Sequence, residues 1–148
     1  VRALVKHYMG IDPGYSGAIV VIDEDGGFVG SVRLSATEHD VSSFVIEHAP
    51  MVSRATLERV SAMPRQGVAS TFKFGTSYGF CRALLVCHQI RFETVTPATW
   101  QGAMKCRSKG DKNVTKAAAQ RLFPAQKVVH ATADAMLIAE YTRRAAGS

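Results

Sequence analysis

Four residues stand out for the chemistry they could do: Asp12, Glu58, His130 and Asp134. Asp12 ends the apolar run Tyr8-Met9-Gly10-Ile11, where a carboxylate is costly unless it is hydrogen-bonded, paired or bound to a cation. Pro13-Gly14-Tyr15-Ser16-Gly17 follows as a tight turn, and Gly10, Gly14 and Gly17 leave space beside the backbone. Such a turn could cradle phosphate, yet it lacks both the Gly-Lys-Ser/Thr ending and the dinucleotide glycine fingerprint. A carboxylate that only caps the turn is the alternative. Glu58 repeats the anomaly within Thr56-Leu57-Glu58-Arg59-Val60, although strand alternation also allows an ordinary exposed glutamate. His130 and Asp134 lie four residues apart, which on a helix puts them on one face about 6 Å apart along the axis. A capping histidine with a surface aspartate satisfies the same spacing. Together, three carboxylates and an imidazole can hold two Mg²⁺ or Mn²⁺ ions across a phosphate, one promoting attack by water and the other stabilising the leaving alkoxide.

These residues can meet only if the intervening elements fold them together. Tyr8 to Asp12, Ala18 to Ile22 and Phe28 to Leu34 read as strands joined by short turns, hence an antiparallel meander. Glu38 to Ala49 has Val41, Phe44, Val45 and Ala49 at helical spacing, and Pro50 ends it. Ala55 to Val60 is a fourth strand that can lie beside the first and deliver Glu58 to Asp12. Ser61 to Gly67 has poor regular propensity, Ser70 to Cys87 reads as helix, and Ile90 to Val95 as the fifth strand. Thr96-Pro97 starts a short helical turn. A helix from Asn113 to Leu122 is expected to bury Val114, Ala117, Ala118 and Leu122, and a last helix over Thr132 to Arg144 to bury Ala135, Ile138, Ala139 and Thr142. The expectation is an α/β fold with a mixed five-stranded sheet flanked by helices, in a single domain over residues 1–148.

A chain of 148 residues, 47% hydrophobic and 20% charged, reads as folded rather than disordered. The formal net charge of +6 favours a polyanionic partner. No apolar run approaches a membrane span, no secretory signal is seen, and no membrane partner is expected. Cys81, Cys87 and Cys106 lack paired spacing and read as reduced thiols of an intracellular protein, the first two in the core and Cys106 on the surface or in a linker. Arg65, Lys73, Lys105 and Arg107 are candidate phosphate contacts, and surface solubility explains any one of them as well. Phe72 could stack on an opened base beside Lys73, although core or dimer packing is the weightier account for Phe72 and Phe74. Trp100 reads as an interior anchor. Gln66 fits either a DNA contact or a loop hydrogen bond.

The chain resembles the RuvC-like Holliday junction resolvases of the RNase H-like superfamily, above all their small bacteriophage-type members. The resemblance rests on Gly10-Ile11-Asp12-Pro13-Gly14-Tyr15-Ser16-Gly17, on Glu58 to Gly67 with Ser70 to Gly75, on Val95 to Trp100, and on the ending from His130 to Tyr141. It implies an RNase H-like fold and a homodimeric, Mg²⁺- or Mn²⁺-dependent endonuclease, with two ions per site, that makes paired nicks in strands of like polarity at four-way junctions or otherwise branched DNA. It carries Asp12, Glu58 and Asp134 over as metal ligands. His130 stands where many relatives place aspartate, a departure that bears on metal preference. Lys112 resembles part of the family's late lysine-rich segment and becomes the preferred phosphate contact, with an ordinary solvated lysine as the alternative. Glu140 is set aside because its offset from Asp134 turns it off that helical face. The implied setting is a bacterial cytoplasm, phage or prophage proteins included. A broader debranching or RNase H-like nuclease and a non-cleaving junction-binding protein are the alternatives; a sugar-kinase or actin-like ATPase would need a longer chain.

Overall fold

The computed structural model describes residues 5–61 and 65–147, so Ala62, Met63 and Pro64 of the second motif lie outside the described residues. Strands β1 (His7–Asp12), β2 (Ala18–Asp23), β3 (Phe28–Arg33), β4 (Val52–Glu58) and β5 (Phe92–Val95) form one sheet in the order β3-β2-β1-β4-β5. The first three are antiparallel; β4 and β5 join in parallel. The meander follows from its short turns, one of which is tied by the Asp23 carboxylate accepting from the amides of Asp25 and Gly27. The parallel strands need crossovers. Helix α1 (Glu38–His48) supplies the first and α2 (Val68–Cys87) the second. Helices α3 (Pro97–Ala103), α4 (Lys112–Leu122) and α5 (His130–Ala146) complete the chain.

Strand alternation sorts the core into two layers. Met9, Ile11, Ile19, Val21, Ala55 and Leu57 pack against α1 and α2 with Val41, Val45, Cys81 and Leu85. Tyr8, Ala18, Val20 and Ile22 face α4 and α5 on the other side, with Trp100, Ala118, Ala135, Ile138 and Ala139. Helix α5 follows the expected pattern, since Ala135, Ile138, Ala139 and Thr142 are all buried. Helix α4 does not: its buried residues are Thr115, Ala118 and Ala119, whereas Val114 and Leu122 are each 37% exposed. Small side chains let α4 approach α5 closely, and Phe123, just beyond the helix, takes the core place assigned to Leu122. Two cysteines also depart from expectation. Cys87 is exposed on the outer face of α2, and Cys106 is buried after α3.

Candidate active site

Asp12 ends β1 and Glu58 ends β4, each one step beyond the paired residues Ile11 and Leu57. Because Met9, Ile11 and Leu57 face α1 and α2, alternation turns Gly10, Asp12, Thr56 and Glu58 toward α5. Helix α5 lies very close to β1 there: a Cβ on Gly10 would collide with the Ala139 amide nitrogen and the Ala135 carbonyl oxygen. Thr142 and Thr56 share a hydrogen bond of 2.8 Å and fix the helix along the strand. This close crossing carries the start of α5, with Asp134, over the ends of β1 and β4. Gly17 is equally constrained, since a Cβ would strike the Asp12 carbonyl oxygen. Its amide closes the turn on Gly14, and the Gly14 amide donates to Asp12 Oδ1 at 3.2 Å. Local capping and membership of a wider site thus coexist at Asp12.

The electrostatics show the three carboxylates acting on one another. Burial pushes Asp12 up to about 6, reinforced by the Asp134 charge and opposed by the Gly14 amide and Lys112. Burial likewise pushes Glu58 up to about 7, with Asp12 adding to the rise and the Trp100 hydrogen bond opposing it. Asp134 is also raised by burial, against the Thr115 hydroxyl and the charges of Lys112 and His130. Excess negative charge in a partly desolvated place is what a divalent cation relieves. Glu140 behaves differently. Burial acts to raise it, but hydrogen bonds from Arg143 and Arg144 at 2.7–2.8 Å prevail and hold it below its ordinary value.

Two clefts meet at these residues. One, of about 690 Å³, is lined by Asp12, the turn from Gly14 to Gly17, Gln66, Lys73, Phe74, Lys112, His130 and Asp134. The other, of about 500 Å³, is lined by Glu58, α3, Arg107, Lys109, Gly110, Lys112 and Asp134. Lys112, Thr115 and Asp134 border both. His130 is the first residue of α5 and is exposed, one turn before Asp134. Of the expected DNA contacts, Gln66, Lys73 and Lys112 line the first cleft, and Arg107 lines the second with Lys112. Phe72 is 76% exposed and borders a neighbouring apolar groove with Tyr15 and Lys73, so core packing is not its role within the chain. Arg65 and Lys105 are exposed residues in the left-handed region and line neither cleft.

Sequence reasoning missed two partners. Trp100, fully buried, donates its indole N–H to Glu58 Oε2 at 2.7 Å; a buried indole needs an acceptor, and that requirement was the available signal. Thr115 gives no such signal, because a polar residue does not register in an apolar stripe. Among the described residues, no three His, Cys, Asp or Glu side chains close into a ready-made metal shell. The donor chemistry nevertheless fits a hard cation: Mg²⁺ commonly takes one or two carboxylates and completes its shell with water and substrate phosphate.

No family model and no curated protein sequence matches the chain. Among solved structures, it is similar to Thermus thermophilus RuvC at 15% identity and a TM-score of 0.63, over 95% of this chain and 96% of that one. It is also similar to T. thermophilus RuvC in complex with Holliday junction substrate, at 14% identity and a TM-score of 0.62, over 97% of this chain and 96% of that one. The fold is therefore the RNase H-like architecture in its RuvC form.

Proposed function

We propose that this chain is a divalent-metal-dependent endonuclease of branched DNA, with the four-way junction as its foremost substrate. The observation that carries the reading is the electrostatic coupling of Asp12, Glu58 and Asp134, from three separate elements, where they line two adjoining clefts bordered by Lys73, Arg107 and Lys112. The RuvC-type fold supports it, as does the junction bound by the T. thermophilus protein. Asp12, Glu58 and Asp134 would hold Mg²⁺ or Mn²⁺, with His130 at the border of the site as a further ligand. Bound there, two ions would supply Lewis-acid activation of water and stabilisation of the leaving alkoxide. The chain's own part is positional. Lys112, which borders both clefts, holds the scissile phosphate; Lys73 and Arg107 hold its neighbours on either side, with Gln66 as a polar contact. Arg65 and Lys105 belong to more distant DNA arms.

We further propose that the chain acts as one nuclease domain in a homodimer. Helix α2 exposes Val68, Phe72, Gly75, Gly79, Ala83 and Val86 at helical spacing, an apolar and small-residue stripe suited to a second copy. A bacterial or phage DNA-processing setting accords with this reading, and no described helix is long and apolar enough to cross a membrane. The test is incubation of matched four-way and linear DNA with the protein in Mg²⁺ or Mn²⁺, beside Asp12→Asn and Glu58→Gln. Metal-dependent incision of the junction, abolished by both substitutions, is the expected result. Absence of incision by the intact protein, or incision unchanged by both substitutions, overturns it. One observation favours a second reading, a non-cleaving junction-binding protein: among the described residues, the carboxylates do not close into a preformed shell. Strong junction binding without product in either metal would select that reading, while equal cutting of junction, flap and linear duplex would select a broader debranching nuclease.

A further inference from the structure

Glu58 is held by a residue far along the chain. Its Oε2 accepts the Trp100 indole N–H at 2.7 Å across a separation of 42 residues. The placement is built from the strand ends upward. Glu58 pairs in parallel register with Val95, and the Arg59 amide donates to the Val95 carbonyl at 2.6 Å. The chain then turns directly into α3, where the Thr96 hydroxyl caps the Thr99 amide and Pro97 takes the first turn. Trp100 is thereby returned over the end of β4, fully buried, with its ring in the core layer beneath α5.

A glutamate's terminal torsion is soft and nearly two-fold, so an untethered Glu58 could present either oxygen or swing away. A fully buried indole has no water to turn to, so losing the Glu58 acceptor leaves its N–H unsatisfied. We infer that Trp100 is a positioning residue for the metal site: its N–H occupies Glu58 Oε2, fixes the carboxylate plane, and leaves Oε1 to face the cleft and the ion. The inference rests on the metal-site reading proposed above. It adds that α3 serves the site through one hydrogen bond, and that the protein's sole tryptophan reports on ion binding.

The experiment is Mg²⁺ titration of the full chain, followed by calorimetry and tryptophan emission, without DNA. Trp100 is then replaced by 3-benzothienylalanine, which keeps the bicyclic shape and substitutes sulfur for the N–H; Trp100→Phe is the second variant. The intact protein should show a saturable emission change with the calorimetric midpoint, and Glu58→Gln should lose it. The benzothienyl protein, still melting cooperatively, should bind Mg²⁺ at least about tenfold more weakly, the size expected when a metal-ligating carboxylate loses its hydrogen-bond partner. Unchanged affinity in that folded variant, or emission that ignores an ion detected calorimetrically, overturns the positioning role. Failure of the intact protein to bind Mg²⁺ at all overturns instead the metal-site reading on which the role depends.

Discussion

Asp12 and Glu58 are held in a state that favours protons or cations over bare charge. Both are raised, to about 6 and about 7, chiefly by burial and then by neighbouring carboxylates. The folded protein therefore binds more protons than the unfolded chain from about pH 4 up to these values, given ordinary carboxylates near 4. Their contribution to metal-free stability is full below about pH 4 and is lost as pH rises through 6 to 7. Asp12→Asn removes one charge from the cluster, so at pH 7.5 without metal it should raise stability, on the order of 2 kcal/mol, while abolishing cleavage. Thermal melting between pH 4 and 8 checks this: the gap between parent and variant must widen with pH, and a variant that melts lower throughout contradicts the account. His130 makes a complementary prediction. Burial raises Asp134, one turn further along α5, so a carboxylate in place of the imidazole adds like charge beside it, and imidazole suits Mn²⁺ better than Mg²⁺. His130→Asp should lower metal-free stability at pH 7.5 and shift cleavage from Mn²⁺ toward Mg²⁺, read as the ratio of initial rates in the two ions.

Among the elements, the crossing of α5 over β1 determines whether Asp134 is brought to the strand ends that carry Asp12 and Glu58. The atoms that a Cβ on Gly10 would meet belong to the α5 backbone, so no rotamer change relieves them. Gly10→Ala should destabilise the protein by about 3 kcal/mol, the upper part of the usual overpacking range, and reduce cleavage beyond the loss of folded protein. Denaturant midpoints and activity per folded molecule separate the two effects. Much of this scaffold was legible in the sequence, because strand alternation and the Ala135-Ile138-Ala139-Thr142 stripe are direct consequences of one-sided burial. The pairing of β4 with β1, and with it the nearness of Glu58 to Asp12, was also legible as a possibility of strand order. Thr115 and the Trp100–Glu58 bond were not. Both depend on how helices α3 and α4 rotate about their axes, which hydrophobic periodicity resolves poorly when small residues such as Ala118 and Ala119 are what is buried. For Phe72 the sequence left core and dimer packing together, because composition marks an aromatic as burial material without saying against what; its exposure removes only the first.

At the scale of the whole molecule, charge and the α2 stripe make separable demands. The net charge of +6 supplies attraction to any polyanion, but the cations lining the clefts should count most among the phosphate contacts. Replacing Lys73, Arg107 or Lys112 by alanine should reduce the slope of log affinity against log salt by roughly 0.9 for each phosphate no longer neutralised, measured on junction DNA. The stripe concerns cooperation instead. A four-way junction is resolved only when two strands are nicked, and a monomer with one site nicks one strand per encounter. Phe72 is 76% exposed within the small-residue face, so, if the proposed homodimer forms there, Phe72→Glu should place charge between the copies and yield a folded monomer by light scattering. Supercoiled plasmid carrying an extruded cruciform distinguishes the outcomes. The parent should produce linear plasmid from coordinated nicks, and the variant mainly nicked circles, because relaxation after a first lone nick reabsorbs the cruciform before a second can occur. A dimer that survives Phe72→Glu places the interface on another face of the molecule; a monomer that still linearises the plasmid in one encounter removes the need for any second copy.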